Sequence, residues 1–259
     1  MTGALDRILA IAGNTMREAV RSRVLYTLLF FALALIGTGI LLATLSYVER
    51  DRIMQDVGFA AIRVFGVAIA IFVGIGLVHR EVDRRTIYTI LSKPIARGEF
   101  LLGKYLGLLA TVWLQITVMG ACFALVSWLA EAPLGAGHAA ALAGIGGEVA
   151  VMVAIALFFS SISTPMLAAL FTAGLWLIGH LTRDLRALGA QADVTSVTRV
   201  TEILYRALPD LEAFDFAGHA AHGLPLMASD LVLPALYALG YVVLTLTVAV
   251  AAFERRDFR

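Results

Sequence analysis

Residues 79–104 read HREVDRRTIYTILSKPIARGEFLLGK, and this polar segment separates two long apolar stretches of the chain. It carries six of the chain's twenty Lys and Arg residues, which are Arg80, Arg84, Arg85, Lys93, Arg97 and Lys104. A short basic connection between two membrane helices stays on the cytoplasmic side. Residues 86–91 are rich in apolar side chains, the Lys93–Pro94 pair interrupts them, and residues 100–102 begin a second amphipathic turn. The segment is therefore predicted to be a docking surface for a cytoplasmic partner.

The composition predicts a chain that resides in a lipid bilayer. Hydrophobic residues make up 60% of the sequence and charged residues 15%, with a mean hydropathy of +0.88. A soluble domain has a charged fraction of about 25%. The net charge of +1 gives no overall field that would favour nucleic acid. Cys122 is the only cysteine, so the chain contains no intrachain disulfide.

Six apolar segments are long enough to cross the hydrocarbon core as helices, which takes about 20 residues each. The predicted fold class is therefore all-α, a polytopic membrane protein with six transmembrane helices. Pro165 and Pro234 are each placed in the first turn of a span, where proline is tolerated. The predicted spans are residues 24–46, 57–79, 105–130, 138–160, 165–181 and 231–253.

The distribution of Lys and Arg predicts that both termini lie in the cytoplasm. With the N-terminus inside, thirteen basic residues fall on the cytoplasmic side and six on the outer side, while Arg63 lies within a span. Cytoplasmic loops carry the excess of positive charge.

Residues 1–23 are predicted to form an amphipathic helix along the inner interface rather than a cleaved signal peptide. Their apolar side chains recur at helical spacing and their polar ones fill the opposite face. An ordinary basic orientation signal before the first span is the alternative. The apolar set is Leu5, Ile8, Leu9, Ala12, Met16, Ala19 and Val20, and the polar set is Asp6, Arg7, Asn14, Arg17, Glu18 and Arg21.

Residues 182–229 form a 48-residue outer connection, which is long enough to contain secondary structure. Val197, Val200, Leu204 and Leu208 recur at helical spacing, between a capping Asp193 and Pro209. The pattern predicts an amphipathic helix that rests on the outer leaflet or on the spans.

Residues 98–104 have the GxxxxGK spacing of a nucleotide-binding loop, but their context argues against that function. Tyr105 stands where such a loop has Ser or Thr for magnesium, and the segment runs directly into an apolar stretch. Gly103 and Gly107 are better interpreted as a face of small residues that lets another helix approach closely.

Arg63 and Glu148 are predicted intramembrane charges. A charge at mid-membrane costs about 3 kcal/mol unless it is paired or hydrated. The two predicted depths differ by roughly 6 Å at 1.5 Å per residue, so a contact within or between subunits is one hypothesis. Separate snorkelling, or exposure to a wet cleft, is the other. His180 is expected at the interface. Asp215, His219 and His222 form the only candidate metal group, and no metal site is predicted because nothing else has ligand spacing.

No enzyme motif such as GxSxG or HExxH occurs in the chain, so it is not expected to carry out chemistry itself.

The order of these elements resembles the permease subunits of type 2 ATP-binding-cassette (ABC) exporters, including the group that contains the nitrous-oxide-reductase-maturation permease. The matching positions in the insert are Glu81, Thr86, Leu91, Ser92, Pro94, Ile95, Arg97, Phe100, Gly103, Lys104 and Gly107, and those in the tail are Phe253, Arg255, Arg256 and Asp257.

The resemblance implies two permease chains, as a homodimer or heterodimer, each engaging a separate ATPase subunit that binds ATP and magnesium. No cofactor is expected in this chain. The N-terminal helix and the insert are implied to contact the ATPase. The predicted coupling residues are Arg17, Arg21, Glu81, Arg84, Arg85, Thr86, Ser92, Lys93, Pro94 and Arg97.

The predicted function is thus the membrane subunit of an ATP-driven exporter in a bacterial cytoplasmic membrane, formed by one domain over residues 1–259. One alternative is a non-transporting mechanotransmitter, in which ATPase motion reaches an extracytoplasmic partner bound at residues 182–229. Another is an ATP-independent transporter or channel that uses Arg63 and Glu148.

Overall fold

A computed structural model describes residues 3–43, 50–83, 96–132, 134–191, 195–222, 225 and 227–254. Every regular element in these ranges is a helix, which confirms the all-α prediction. The helices are α1 (Ala4–Val20), α2 (Arg23–Ala43), α3 (Arg50–Asp83), α4 (Arg97–Leu129), α5 (Ala136–Ile162), α6 (Pro165–Gly179), α7 (Thr182–Ala190), α8 (Thr195–Ala207), a 3-10 turn (Leu211–Phe214), α9 (Ala217–His222) and α10 (Ala228–Glu254).

Five of the described helices are long and apolar enough to cross a membrane, so the chain is a multi-pass membrane protein. They are α2, α3, α4, α5 and α10. The predicted span at 165–181 differs, because α6 has only 15 residues and ends at Gly179. At 1.5 Å per residue it measures about 22 Å, less than the roughly 30 Å of the hydrocarbon core. A sixth span exists only if α6 and α7 count together, and the chain bends by 52° between them.

The helices on either side of the polar insert extend further than predicted. α3 runs to Asp83 and α4 begins at Arg97, so both ends of the predicted segment 79–104 are helical. A helix satisfies its own backbone hydrogen bonds and does not have to end where the apolar residues end. Residues 84–95, between these two helices, lie outside the described residues.

The prediction that Pro234 lies in the first turn of the last span is wrong. α10 begins at Ala228, so Pro234 is inside the helix. Proline lacks the N–H that would bond four residues back, at Asp230, near the start of the helix. The helix continues past Pro234, and the Asp230 carbonyl is the group left without its helical N–H partner.

Residues 182–229 contain more structure than the one predicted helix. α8 covers the residues with the predicted helical spacing, while the proposed cap, Asp193, lies outside the described residues. The 3-10 turn and α9 pack against the bundle, and Leu211 and Phe214 are buried there. We call residues 209–222 the cap segment.

α5 occupies the centre of the bundle. It packs against α3, α4, α6, α10 and the cap segment, and its residues 148–157 are all buried. A helix that is apolar around its whole circumference is expected at such a position. Glu148 is the one ionisable residue of this buried stretch, so its environment needs explanation.

Candidate functional site

The first candidate site is the contact between α1 and the beginning of α4, which we call the inner junction. Arg7 pairs with Glu99, Ile11 lies over Gly103, and Thr15 lies over Gly107. In each of the three pairs the two residues are 92 positions apart in the sequence, as in the Arg7–Glu99 bond. The two helices therefore run parallel and in register over two turns. Part of the α1 face that was predicted to lie on the membrane is used for this contact, whereas Leu5 and Leu9 stay exposed.

Gly103 and Gly107 allow this close approach, so the partner of the predicted small-residue face is α1. A Cβ atom on Gly107 would lie 2.5 Å from the Ala12 carbonyl oxygen and 2.7 Å from Thr15 Cβ. A Cβ on Gly103 would lie 2.7 Å from Ile11 Cβ. Real Cβ atoms do not come this close to other heavy atoms, and the obstacle at Gly107 is backbone, which cannot rotate away.

A bidentate ion pair fixes the beginning of the inner junction. Arg7 Nη2 lies 2.6 Å from Glu99 Oε1, and Arg7 Nε lies 2.9 Å from Glu99 Oε2. The hydrogen bond to Glu99 raises the pKa of Arg7 against the opposing effect of desolvation. Because the planar guanidinium fork matches the carboxylate, the pair sets the orientation of α1 as well as its position.

α10 joins the inner junction through its last turn. Arg97 Nη1 donates a hydrogen bond of 3.0 Å to the Phe253 carbonyl oxygen. The rings of Phe100 and Phe253 stack with centroids 6.4 Å apart. The beginning of α4 is thus held by both the N-terminal helix and the end of the last span.

The GxxxxGK sequence lies entirely in the first two turns of α4, where it forms helix rather than a phosphate-wrapping loop. Lys104 is 1% exposed, and its Nζ lies 5.7 Å from the centroid of the Phe100 ring. The spacing that matches a nucleotide site is therefore used for helix packing.

The remaining predicted coupling residues divide into two groups. Arg17 and Arg21 line a surface cavity of about 510 Å³ at the end of α1, together with Asn14, Glu18 and Ser22. The residues Arg84, Arg85, Thr86, Ser92, Lys93 and Pro94 lie outside the described residues, as does the side chain of Glu81.

The second candidate site is a group of charged side chains around Arg63, which we call the charged cluster. Arg63 Nε lies 3.3 Å from Glu148 Oε2, within one chain. The Arg63 guanidinium also donates to both carboxylate oxygens of Asp215, at 2.7 and 3.2 Å. Arg63 thus connects the fully buried Glu148 of α5 to the cap segment.

α6 completes the charged cluster with two aromatic side chains. Trp176 Nε1 donates to Glu148 Oε1 at 2.7 Å, and His180 Nε2 lies 3.4 Å from the same oxygen. His180 Nδ1 lies 3.0 Å from the Trp176 carbonyl oxygen. Glu148 Oε1 thus accepts a hydrogen bond from Trp176 and is also approached by the His180 ring.

Asp215 lies at the more exposed side of the charged cluster. Burial favours the neutral acid, but the hydrogen bonds and positive charge of Arg63 outweigh it and lower the pKa of Asp215. The carboxylate form is thus the one that holds the cap segment to α3.

A contact between Arg63 and Glu148 was one of two hypotheses from the sequence. The sequence did not indicate that Asp215, Trp176 and His180 also belong to the charged cluster. Asp215 is 152 residues from Arg63 and had been considered only with His219 and His222. Within the described residues, no three His, Cys, Asp or Glu side chains lie close enough to share a metal ion. The surplus of acids in the turn before α9 is the one signal that could have indicated a partner for a buried arginine.

An apolar groove runs between α4, α5 and α10. Its volume is about 1000 Å³, and its lining contains no charged side chain. Trp113 on its wall uses its Nε1 to bond the Gly146 carbonyl oxygen at 3.0 Å. An occupant with an apolar surface would therefore fit this groove better than a charged solute would.

Comparison with protein families identifies a match over most of the chain. Residues 9–258 match the family model described as "ABC-2 family transporter protein". The match includes the charged cluster, the polar segment between α3 and α4, and the inner junction except for the first residues of α1, among them Arg7. No curated protein matches the chain significantly.

Proposed function

Because the chain belongs to the ABC-2 family of transporter proteins, we propose that it is the permease subunit of an ATP-driven exporter that works with a separate ATPase. Two permease chains and two ATPase subunits form the complex. ATP and magnesium bind to the ATPase, and the permease moves a substrate that its own sequence does not specify. A specific kinship with the nitrous-oxide-reductase-maturation permeases is part of this proposal and rests on the motif between residues 81 and 107.

The inner junction is the observation that carries the proposal. The polar segment predicted to dock the ATPase, residues 79–104, continues into the beginning of α4. The bidentate Arg7–Glu99 pair and the close glycine contacts fix α1 to α4 there. A displacement of the segment or of α1 by the ATPase would therefore move α4 as a rigid body.

The membrane orientation belongs to the proposal as well. With both termini in the cytoplasm, the inner junction faces the ATPase and the charged cluster lies toward the outer face. Arg63 is the fourteenth residue of the 34-residue α3, so it lies nearer to the helix end at Arg50 than to the end at Asp83. The location is a bacterial cytoplasmic membrane.

A charge exchange at the inner junction tests the coupling proposal. We expect Arg7→Glu to lower ATP hydrolysis by the purified complex, because two acids then face each other between α1 and α4. We expect the exchange Arg7→Glu with Glu99→Arg to restore much of it. Arg50→Glu, an exposed change at the start of α3, is the matched control. If Arg7→Glu leaves both assembly with the ATPase and hydrolysis unchanged, the inner junction does not couple the two subunits.

The charged cluster favours a second candidate function, that of a mechanotransmitter. Arg63 connects the buried core to the cap segment, so motion of α3 would reach an extracytoplasmic partner at residues 182–229 without passage of a substrate. Proteoliposomes that contain the complex distinguish the two functions. ATP-dependent export supports the exporter, whereas an ATP-dependent change at the cap segment without export supports the mechanotransmitter.

A further inference from the structure

α7 and α8 form a helical hairpin that extends from the end of α6. Arg186 Nε bonds Glu202 Oε2 at 2.9 Å, and Thr198 Oγ1 bonds the Gly189 carbonyl oxygen at 2.9 Å. The Arg186 guanidinium also lies 4.6 Å from the centre of the Tyr205 ring. Later residues of α7 contact earlier residues of α8, so the two helices are antiparallel.

α8 has three distinct faces at 100° per residue. Thr198, Thr201 and Tyr205 face α7. The charged face carries Arg199, Glu202 and Arg206, and Glu202 Oε1 accepts a 2.9 Å hydrogen bond from Arg206. The third face is an apolar stripe of Val197, Val200, Ile203 and Leu204, whose exposed fractions are 44%, 55%, 65% and 39%.

We propose that the apolar stripe of α8 inserts into the lipid bilayer and holds the α7–α8 hairpin at the membrane interface. An amphipathic helix of this kind buries its apolar face about 5–10 Å into the boundary between headgroups and acyl chains. The proposal does not rest on the proposed function, since it requires only that the chain spans a membrane. The identity of the leaflet, which is the outer one, rests on the proposed orientation.

The connection to α6 argues for lipid as the occupant. α6 presents Leu170, Leu177 and Ile178 as exposed apolar side chains on a membrane helix, and the chain enters α7 two residues after α6 ends. The chain bends by 52° between α6 and α7, so α7 leaves the axis of α6. A short, bent connection therefore joins the hairpin that carries the stripe to a helix with an exposed apolar surface.

The charges beside the stripe argue in the same direction. Arg199 and Arg206 lie next to the apolar face, where basic side chains meet lipid phosphates in interfacial helices. Exposed Val, Ile and Leu side chains on a helix beside the membrane are stabilised by transfer into lipid. Charge and apolar surface thus specify one occupant, an anionic phospholipid surface.

Fluorescence quenching by lipids tests the proposal on the full-length chain in nanodiscs of phosphatidylethanolamine and phosphatidylglycerol. Val200→Cys and Arg206→Cys are each made on a Cys122→Ala background and labelled with an environment-sensitive dye. Lipids carry a nitroxide either near the headgroup or near the methyl end of the acyl chain. We expect the dye at position 200 to lose fluorescence with the shallow nitroxide and much less with the deep one. The dye at position 206, on the charged face, is the matched control and should lose less than the dye at position 200.

Two other outcomes would overturn the proposal. If the stripe covers a second copy of the chain, the dye at 200 is not quenched and Val200→Cys forms a disulfide between copies on oxidation. If the stripe binds an extracytoplasmic protein, the dye at 200 is neither quenched nor cross-linked and stays water-exposed in nanodiscs. Replacing Arg199 and Arg206 with Gln, with Val200→Cys retained, should reduce quenching in phosphatidylglycerol and have little effect in uncharged lipid.

Discussion

Arg63 contacts two carboxylates that differ in burial. Glu148 is fully buried, whereas the Asp215 side chain is 38% exposed and can be hydrated if its partner is lost. Loss of Arg63 therefore leaves Glu148 as the uncompensated charge. Arg63 thus compensates the buried charge of Glu148 in the core and also connects α3 to the cap segment.

We expect Arg63→Met and Glu148→Gln to be non-additive. Arg63→Met alone leaves the fully buried Glu148 carboxylate without its cation, whereas Glu148→Gln alone removes one of the two carboxylates that face the partly buried Arg63. Loss of a buried partner costs about 1–3 kcal/mol of unfolding free energy. The double variant leaves no charge unpaired within the core and should recover part of the loss. A double-mutant cycle on thermal stability in nanodiscs measures the coupling. Additive losses would show that the 3.3 Å contact contributes nothing.

The Arg63–Asp215 contact should depend on pH. Since the pKa of Asp215 is lowered below its ordinary 3.8 in the folded protein, its contribution is complete above that value. The contribution is lost as the pH falls through the folded pKa. We expect the stability difference between wild type and Asp215→Asn to be constant at neutral and mildly acidic pH and to vanish below the folded pKa. Asp184→Asn, at an exposed position of α7, is the matched control for the loss of one surface carboxylate.

At the residue level, the sequence could indicate that Arg63 and Glu148 needed partners, because buried charge is costly wherever it occurs. It could not indicate that Trp176 and His180 lie against Glu148, since neither residue type requires a carboxylate as its partner. The contact with Asp215 depends on how the cap segment folds back over α5, which hydropathy does not encode.

At the scale of helices, Gly103 and Gly107 determine how α1 meets α4. The small-residue spacing predicted a close helix contact but not its partner, since any helix can use such a face. Proximity in the sequence does not indicate this helix pair either, because two spans lie between α1 and α4. The register became visible only from the equal separation of the pairs Arg7–Glu99 and Ile11–Gly103.

We expect Gly107→Ala to displace α1 from α4. The new methyl group would overlap the Ala12 carbonyl, and such overpacking costs about 1–3 kcal/mol. The complex should lose both thermal stability and ATP hydrolysis. Gly240→Ala is the matched control, because a Cβ at that helical position meets nothing within 4 Å. Gly240→Ala should be neutral or stabilising, because alanine has a higher helix propensity than glycine. A loss of the same size in both variants would show that the inner junction is not its cause.

At the scale of the whole molecule, the described residues contain five candidate spans and one bent pair of helices. Hydropathy located the five spans and the apolar residues of α6, because each segment is apolar. It did not reveal the bend after Gly179, since bending alters direction without altering composition. The polar character of residues 79–104 could be predicted, but the extension of α3 and α4 into both ends of this segment could not.

Labelling from either side tests the proposed orientation. On a Cys122→Ala background, Ser92→Cys should react with an impermeant thiol reagent only after the membrane is permeabilised. Ser196→Cys, at the start of α8, should react in intact cells. Reaction of both positions from the same side would contradict the orientation and would exchange the roles of the two ends of the bundle.

The dependence of transport on a separate ATPase is the central claim, and one reconstitution measures it directly. The permease is placed in proteoliposomes with its ATPase subunit, or with a variant of that subunit that binds but cannot hydrolyse ATP, and export is followed with ATP present. We predict export with the active ATPase, and none with the inactive variant or with the permease alone. Equal export in all three preparations would contradict the account and would identify the chain as an ATP-independent transporter or channel.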